Sequence, residues 1–363
     1  VRDELPGLHY IPSSADEVVS GHGPYRMLPA KTYFTLPAGN DKFHSERGMP
    51  NVMTYEGFCR TYSEEGIWPQ SDEWGMHDYT LQGAQGAASF NEIIAEGYGK
   101  PQSAREFTEL AQWVNYDGHR SLFESRSKNR MGLLMWMSHP CWPSMVWQTY
   151  DYYFDPNAAY FGCKKASEPL HIQWNPLRDD IEVVNYHAFD RTGLTATASL
   201  FNQDGTLQWT RETKLDIKED QTVACFPLEQ PETLSDTYFI KLSLTDSDGK
   251  QLSDNFYWRG KEDGNYKSLL QLPKVSVCKN VTVKKTGKEW LIRAVLKNEA
   301  RTPALMLRLK VAGEKSGRML LPVFYSDNYF SLLPGEVKEV DIRLYDADTY
   351  GEKPVLEVLG FNL

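Results

Sequence analysis

The sequence predicts an α/β segment followed by two all-β domains. Residues 103–128 begin with a candidate serine N-cap and carry apolar side chains at helical spacing. The run GLLMWMS, residues 132–138, is short and apolar, as is typical of a buried parallel strand. Further strand candidates lie at residues 8–14, 31–36 and 43–46. This alternation of helix and buried strand indicates a parallel sheet covered by helices.

The two all-β domains are predicted from a change of pattern near Pro169. Beyond it, strands of period two are separated by turn signals, including Asp-Gly dipeptides at residues 204–205 and 248–249 that are typical of tight hairpins. This part is too long for one sandwich of roughly 100 residues, so we expect a boundary near the polar stretch RGKEDGNYKS. The expected domains are residues 1–168, 169–262 and 263–363.

Composition and charge exclude several classes of protein. The formal net charge of -10 argues against nucleic acid as a partner, because proteins that bind phosphate backbones usually present a basic face. No run of about 18 apolar residues occurs, so we expect no membrane-spanning helix and no membrane partner. The five cysteines form no C-x-x-C pair, and no run of histidines or acidic residues has metal-site spacing. We therefore expect neither a metal nor another cofactor.

The stretch FHSERGMPNV, residues 43–52, contains the main catalytic candidate. Glu46 lies where a predicted strand ends before a turn marked by Gly48 and Pro50, and such strand ends are a common place for catalysis in α/β folds. A solvated surface carboxylate is the simpler explanation of the position alone. Trp136 ends the other buried strand, where its ring would face the same site. For most of the aromatic residues that follow Trp142, a core or a domain interface is the simpler interpretation.

Five segments of the sequence together match one known family. They are SGHGPYR, FHSERGMP, WPQSDEWGMHDY, NYDGHRSLFES and the tryptophan-rich stretch at residues 135–172, which is the most specific of them. This set resembles glycoside hydrolase family 2, and in particular its branch of exo-β-glucosaminidases and endo-β-mannosidases of mannosylglycoproteins. The resemblance is close over residues 1–172, whereas in the later sandwiches it extends only to their order and size.

This resemblance implies both a fold and a reaction. Family members carry a (β/α)8 TIM barrel followed by sandwiches, so residues 1–168 would be the C-terminal half of the barrel, with strands five to eight, before two immunoglobulin-like β-sandwich domains. Glu46 matches the carboxylate at the end of strand seven and is therefore the expected nucleophile of a retaining, exo-acting β-glycosidase. Retention requires a second carboxyl group about 5 to 5.5 Å away, which protonates the departing oxygen.

The resemblance places that general acid in an Asn-Glu pair at the end of strand four, and no such pair precedes Glu46. Asn91-Glu92 comes later and falls in a predicted helix, whereas Asn298-Glu299 falls in a turn of a β domain. We therefore expect this chain to be the C-terminal portion of a longer enzyme. The expected partners are a glycan substrate and the N-terminal portion that carries the acid, without which the chain would be inactive.

Other positions match residues around the sugar site of the family. The resemblance makes Trp136 an apolar floor under the sugar and places His22 and Tyr25 on the loop after strand five. His77 falls in a loop that could reach the rim, although a satisfied surface pair with its neighbour explains it equally well. Trp142, in the tryptophan-rich stretch, completes the expected sugar-binding residues.

The preferred sugar and the class of protein stay open at this level. Relatives often carry Asn-Asp where this chain has His139-Pro140-Cys141, so β-linked glucosamine and β-linked mannose are both candidate substrates. The family implies a secreted or periplasmic location. The alternative to an enzyme is a non-catalytic carbohydrate-binding or structural module, in which the two sandwiches bind the ligand and the half barrel is a remnant.

Overall fold

The computed structural model describes residues 3–21, 23, 25–35, 42–80, 87–126 and 132–363. Helices predominate before residue 169. The elements of this part are α1 (Ala30–Thr35), β1 (His44–Arg47), α2 (Tyr55–Thr61), α3 (Asp72–Met76), α4 (Ala87–Gly97), α5 (Ala104–Glu124), β2 (Leu133–Met135) and α6 (Ala158–Ala166). No helix in these ranges is long and apolar enough to cross a membrane.

The first β-sandwich follows directly. Its strands are β3 (Leu170–Asn175), β4 (Asp180–Asn185), β5 (Arg191–Asn202), β6 (Leu207–Ile217), β7 (Gln221–Pro227), β8 (Thr237–Thr245) and β9 (Gln251–Gly260). They form antiparallel sheets in the orders β3-β4-β7 and β6-β5-β8-β9. Alternate residues of β5, including Leu194 and Leu200, point into a core shared by the two sheets.

A second group of antiparallel strands ends the chain. Its members are β10 (Val277–Thr286), β11 (Glu289–Asn298), β12 (Ala304–Gly313), β13 (Phe324–Tyr325), β14 (Phe330–Leu332), β15 (Val337–Tyr345) and β16 (Pro354–Leu359). The sheet orders are β10-β11-β15-β13 and β14-β12-β16. The period-two strands expected from the sequence are confirmed. Both Asp-Gly hairpins are also confirmed, because Gly205 (φ 90°) and Gly249 (φ 77°) have the left-handed backbone of such turns.

The parallel strands of the first part differ from the prediction. β1 and β2 are parallel neighbours, and a parallel bridge from Val19 to Phe43 adds a third extended segment beside β1. Residues 8–14 were also predicted to form a strand, but they are largely exposed and contain no strand or helix, so that prediction is wrong. The predicted strand at residues 31–36 is also wrong, because α1 occupies residues 31–35, the described part of this stretch. Pro29 precedes the helix, where a fixed φ favours helix initiation, and the buried Tyr33 anchors it.

Helix α5 is the longest helix among the described residues and lies at the centre of the first part. The predicted N-cap is confirmed, since the Ser103 hydroxyl accepts a hydrogen bond from the Glu106 amide. Buried amides on α5 hold the chain that follows β1: Asn115 Nδ2 donates to the Val52 carbonyl over 2.7 Å, and Asn115 Oδ1 accepts from the Val52 amide. The position of this segment is therefore set by side chains of α5.

The same helix is joined to the first sandwich by buried charges. The Arg120 guanidinium forms a 2.7 Å ion pair with Asp117 and lies 3.9 Å from the centre of the Tyr257 ring on β9. Arg259, also on β9, returns two hydrogen bonds to the Asp117 carboxylate. Burial alone would raise the pKa of Asp117, but the charges of Arg259 and Arg120 outweigh it and lower that pKa.

A second buried cluster extends this interface. His171 on β3 places Nε2 3.1 Å from Glu124 at the end of α5 and Nδ1 3.2 Å from Glu168. Two carboxylate neighbours favour the doubly protonated imidazole, in which both ring nitrogens donate. Burial lowers the pKa of His171, but the hydrogen bonds to Glu124 and Glu168 outweigh burial and raise it above its usual value.

We predict that His171 makes the stability of this interface depend on pH. A raised folded-state pKa contributes stability that is complete below about pH 6.5 and is lost as the pH rises through the folded-state value. His171→Gln should lower the free energy of unfolding by roughly 3 kcal/mol at about pH 5.5, and by clearly less at about pH 9. The measurement is urea denaturation of both proteins at the two pH values.

The control is His9→Gln, which removes a histidine from an exposed pair with Glu17 and should change little at either pH. A stability loss in His171→Gln that is equal at both pH values would contradict the assignment of a charged ring.

Candidate functional site

Glu46 lies in the short parallel pair formed by β1 and β2. The His44 amide donates to the Gly132 carbonyl over 3.0 Å, and the Trp136 amide donates to the Arg47 carbonyl over 2.9 Å. Parallel strands present their carboxyl ends at the same edge of a sheet, so Glu46 and Trp136 reach that edge together. The two principal candidates from the sequence are thus on neighbouring strands.

Tyr25 is in direct contact with the Glu46 carboxylate. Its hydroxyl forms a short hydrogen bond with Glu46 Oε1 and also lies 2.7 Å from the Gly21 carbonyl. Burial, followed by this hydrogen bond and the negative charge of Glu46, raises the pKa of Tyr25. The phenol therefore stays protonated at neutral pH and donates to the carboxylate, which fixes the orientation of Glu46.

The turn after Glu46 requires glycine because the chain passes very close to its neighbours. A Cβ atom at Gly48 would lie 1.7 Å from the Trp136 carbonyl oxygen and 3.1 Å from the ring of Trp147. No side chain fits in this space. Trp147 in turn makes an edge-to-face contact with Tyr25, with ring centroids 5.8 Å apart. Gly48 thus allows the backbone at Trp136 and the ring of Trp147 to pack directly against the turn after Glu46.

Three of the remaining predicted sugar-binding residues, Trp136, His77 and Trp142, lie among the described residues. Trp136 directly follows β2, and 43% of its surface is exposed, so its ring is accessible to a ligand. His77 and Trp142 stack on each other, with centroids 5.1 Å apart and planes within 20°, and the His77 ring is hydrogen-bonded to the Pro143 carbonyl. His22 lies outside the described residues.

Arg47 is a residue near the site that sequence reasoning missed. Its side chain is 2% exposed, and its Nε and Nη1 atoms have no hydrogen-bond partner among the described residues. Burial lowers its pKa, while the nearby phenols of Tyr33 and Tyr25 act in the opposite direction. In a sequence, an arginine next to a glutamate usually indicates a surface position. No local pattern therefore predicted that Arg47 is buried.

A pair of buried carboxylates near the tryptophan-rich stretch was also missed. Burial and the neighbouring Asp155 raise the pKa of Asp151 to about 7. Asp155 accepts hydrogen bonds from the Thr54 hydroxyl and from Arg308, which lies on β12 in the last group of strands. Arg308 also pairs with Glu56, and despite the opposing effect of burial the pKa of Glu56 falls to about 2. Through Arg308, the C-terminal strands thus help to hold the segment between β2 and α6, which contains Asp155.

The Asn91-Glu92 pair has the environment expected of an ordinary helix. It lies in α4, where the Asn91 side chain accepts from Tyr79 and donates to Gln70, and where Glu92 is exposed. The helix predicted for this pair is confirmed. Within the described ranges, no cluster of three or more histidine, cysteine or acidic side chains could hold a metal ion.

Comparison with known proteins gives this arrangement a context. Residues 255–363 match the family model described as the exo-beta-D-glucosaminidase Ig-fold domain. The chain is 29% identical to an exo-beta-D-glucosaminidase of Amycolatopsis orientalis, covering 94% of this chain and 37% of that protein. It is 24% identical to a mannosylglycoprotein endo-beta-mannosidase of Lilium longiflorum, covering 94% of this chain and 44% of that protein. The chain thus spans about two fifths of the length of these relatives.

Solved structures agree with these similarities. The crystal structure of the Amycolatopsis orientalis exo-chitosanase matches 95% of this chain and 45% of its own length, with a TM-score of 0.86 and 28% identity. A beta-D-mannosidase from Dictyoglomus thermophilum shares the fold, with a TM-score of 0.71 and 19% identity. The resemblance inferred from the motifs is therefore confirmed: over 94% of its length, this chain is similar to an exo-beta-D-glucosaminidase and to a mannosylglycoprotein endo-beta-mannosidase.

Proposed function

We propose that this chain supplies the nucleophile of a retaining, exo-acting β-glycosidase, and that Glu46 is this nucleophile. The observation that carries the proposal is the position of Glu46 at the end of a parallel strand, with one carboxylate oxygen held by the protonated phenol of Tyr25. A carboxylate that is half-buried and fixed in orientation is the group that a displacement at an anomeric carbon requires.

In the proposed reaction, Glu46 Oε2 attacks the anomeric carbon while the bond from that carbon to the departing oxygen breaks. A general acid gives its proton to the departing oxygen, and a water molecule later releases the sugar from Glu46 with the same group acting as base. Tyr25 keeps Oε1 hydrogen-bonded and directs Oε2 toward the substrate. Trp136 supplies an aromatic face against the apolar face of the sugar.

The general acid belongs, in this proposal, to polypeptide outside the present sequence. The chain covers about two fifths of its relatives, and the only Asn-Glu pairs in its sequence are Asn91-Glu92, which is part of helix α4, and Asn298-Glu299, which lies at the end of β11. We propose that the outside polypeptide also completes a (β/α)8 barrel around β1 and β2. The complete enzyme, meaning this chain together with that portion, is the form in which activity is expected.

Glucosamine is the sugar that the similarities favour, with mannose second. Five of the similar proteins carry the name exo-beta-D-glucosaminidase, and the Amycolatopsis orientalis exo-chitosanase has been solved in complex with PNP-beta-D-glucosamine. These are properties of the relatives, and they guide the choice of substrate for the experiments below. A secreted or periplasmic location stays an expectation from the family resemblance.

We predict that Glu46→Gln in the complete enzyme lowers kcat by a factor on the order of 10³ or more, because the covalent route needs the negative charge. The rate of p-nitrophenol release from p-nitrophenyl β-D-glucosaminide measures this effect, and the p-nitrophenyl β-mannoside tests the second sugar. The matched control is Glu92→Gln, which makes the same change at an exposed helical position and should leave kcat unaltered. More than a tenth of normal activity in Glu46→Gln would reject Glu46 as the nucleophile.

Tyr25→Phe should lower kcat about 10- to 100-fold with a small change in KM, since a hydrogen bond to a charged group is worth about 1.5 to 3 kcal/mol. The loss falls on kcat because the bond orients the nucleophile for attack. The exposed Tyr160 offers a control, because Tyr160→Phe removes a hydroxyl at a distant surface position. Unchanged kinetics in Tyr25→Phe would show that this hydrogen bond has no catalytic role.

Trp136→Ala should reduce kcat/KM by roughly tenfold or more, because ring stacking of this kind is worth on the order of 1 to 3 kcal/mol. Trp136→Phe keeps an aromatic face and should recover part of the loss. Circular dichroism and urea unfolding of each variant separate binding from folding. If Trp136→Ala were unstable but its folded fraction had normal constants, the ring would be a packing residue only.

A further inference from the structure

Three rings in the tryptophan-rich stretch lie nearly parallel to one another. The planes of His139 and Tyr150 are within 9°, with centroids 6.5 Å apart, and those of Tyr150 and Phe154 are within 19°, with centroids 6.3 Å apart. We call His139, Tyr150 and Phe154 the aromatic row.

The exposure of Phe154 is built into the loop that carries it. This side chain is 58% exposed, although its backbone has a φ of 67°, a conformation that is costly for a bulky residue. The loop is fixed by buried polar bonds: Asp151 Oδ1 accepts from the amides of Tyr153 and Asp155, and the Asp151 carbonyl accepts from the Phe154 amide. The loop thus holds a large apolar ring exposed at the surface of this chain.

The aromatic row is tied to the edge of the sheet that carries the candidate site. The Thr149 amide donates to the Ser138 carbonyl over 3.2 Å, and Ser138 lies two residues after Trp136. Because an extended chain spans at most about 3.6 Å per residue, the backbone of Tyr150 lies within about 20 Å of that of Trp136. This separation is within reach of a short oligosaccharide bound at Glu46.

We propose that the aromatic row is a second sugar-binding platform, which binds the part of a β-linked oligosaccharide that lies beyond the cleaved bond on the leaving side. The proposal rests on the proposed function, since it takes Glu46 as the point of cleavage. Nearly parallel aromatic faces suit a chain of pyranose rings, each of which has an apolar face and polar edges. Tyr150 and Phe154 supply the faces, and Asp151 with Asp155 keeps them in position. The platform gives preference to oligosaccharides over simple glycosides.

The test measures binding separately from turnover. In the complete enzyme with Glu46→Gln as background, a β-1,4-linked glucosamine trisaccharide and p-nitrophenyl β-D-glucosaminide are titrated by calorimetry. Adding Tyr150→Ala and Phe154→Ala should weaken trisaccharide binding about tenfold and leave the p-nitrophenyl glycoside within about twofold, because only the longer ligand reaches the platform. Phe154→Tyr, which keeps the ring, should bind the trisaccharide normally.

Phe189→Ala serves as the control, since Phe189 is a similarly exposed phenylalanine on the first sandwich and should affect neither ligand. Equal trisaccharide affinity with and without the aromatic row would overturn the proposal, as would an equal loss for both ligands, which would indicate a disturbed central site. Hydrolysis assays with Glu46 intact keep the two proposals apart. An enzyme that cleaves normally but shows no length preference refutes the platform, whereas retained cleavage in Glu46→Gln refutes the proposed function.

Discussion

The shared ion pairs of Asp117 are the contact on which the arrangement of this molecule depends. Asp117 neutralises Arg120 from its own helix and Arg259 from β9, and all three side chains are largely removed from water. Burying such charges is unfavourable unless each is paired, and breaking a buried pair typically costs about 3 to 5 kcal/mol. The orientation of α5 on the first sandwich is therefore strongly specified. If α5 moved along the sheet that contains β9, Asp117 could no longer pair with both Arg120 and Arg259.

The candidate site takes its position from this anchored helix. β1 and β2 are only four and three residues long, and two strands of that length have little stability by themselves. The segment after Glu46 is held instead by Asn115 and Gln112 of α5, which bond the backbone at Val52 and Met53. The first sandwich thus fixes α5, and α5 fixes the segment that follows Glu46, the nucleophile candidate.

Secondary structure could be predicted from the sequence wherever the local residue pattern and the tertiary contacts favour the same element. α5, the period-two strands and both Asp-Gly turns follow from spacing and turn chemistry that operate over a few residues. The stretch at residues 31–36 was mistaken for a strand because its aromatic and β-branched residues favour strands, whereas Pro29 and the packing of Tyr33 favour a helix. Short apolar runs are ambiguous in this way when tertiary contacts decide the outcome.

The site was predictable in part for the same reason. Glu46 and Trp136 could be selected as candidates because each lies at the end of an apolar run, a feature visible in the sequence. The contact between Tyr25 and Glu46, the burial of Arg47 and the Asp151–Asp155 pair depend on residues that are distant in sequence or on burial. A charged residue in a polar loop usually indicates a solvated position, so local composition pointed away from these groups.

The clamp formed by Arg308 has a consequence for how the domains of such proteins can be exchanged. Arg308 reaches from β12 to Glu56 and Asp155, two carboxylates in the first part of the chain, and Lys310 adds a second cation to Glu56. A chimera that received its last group of strands from another protein would need a cation at the position of Arg308. Without that cation, Glu56 and Asp155 would each lose an ion pair. Exchange of the last group of strands is therefore constrained by charge as well as by shape, because Arg308 pairs with both Glu56 and Asp155.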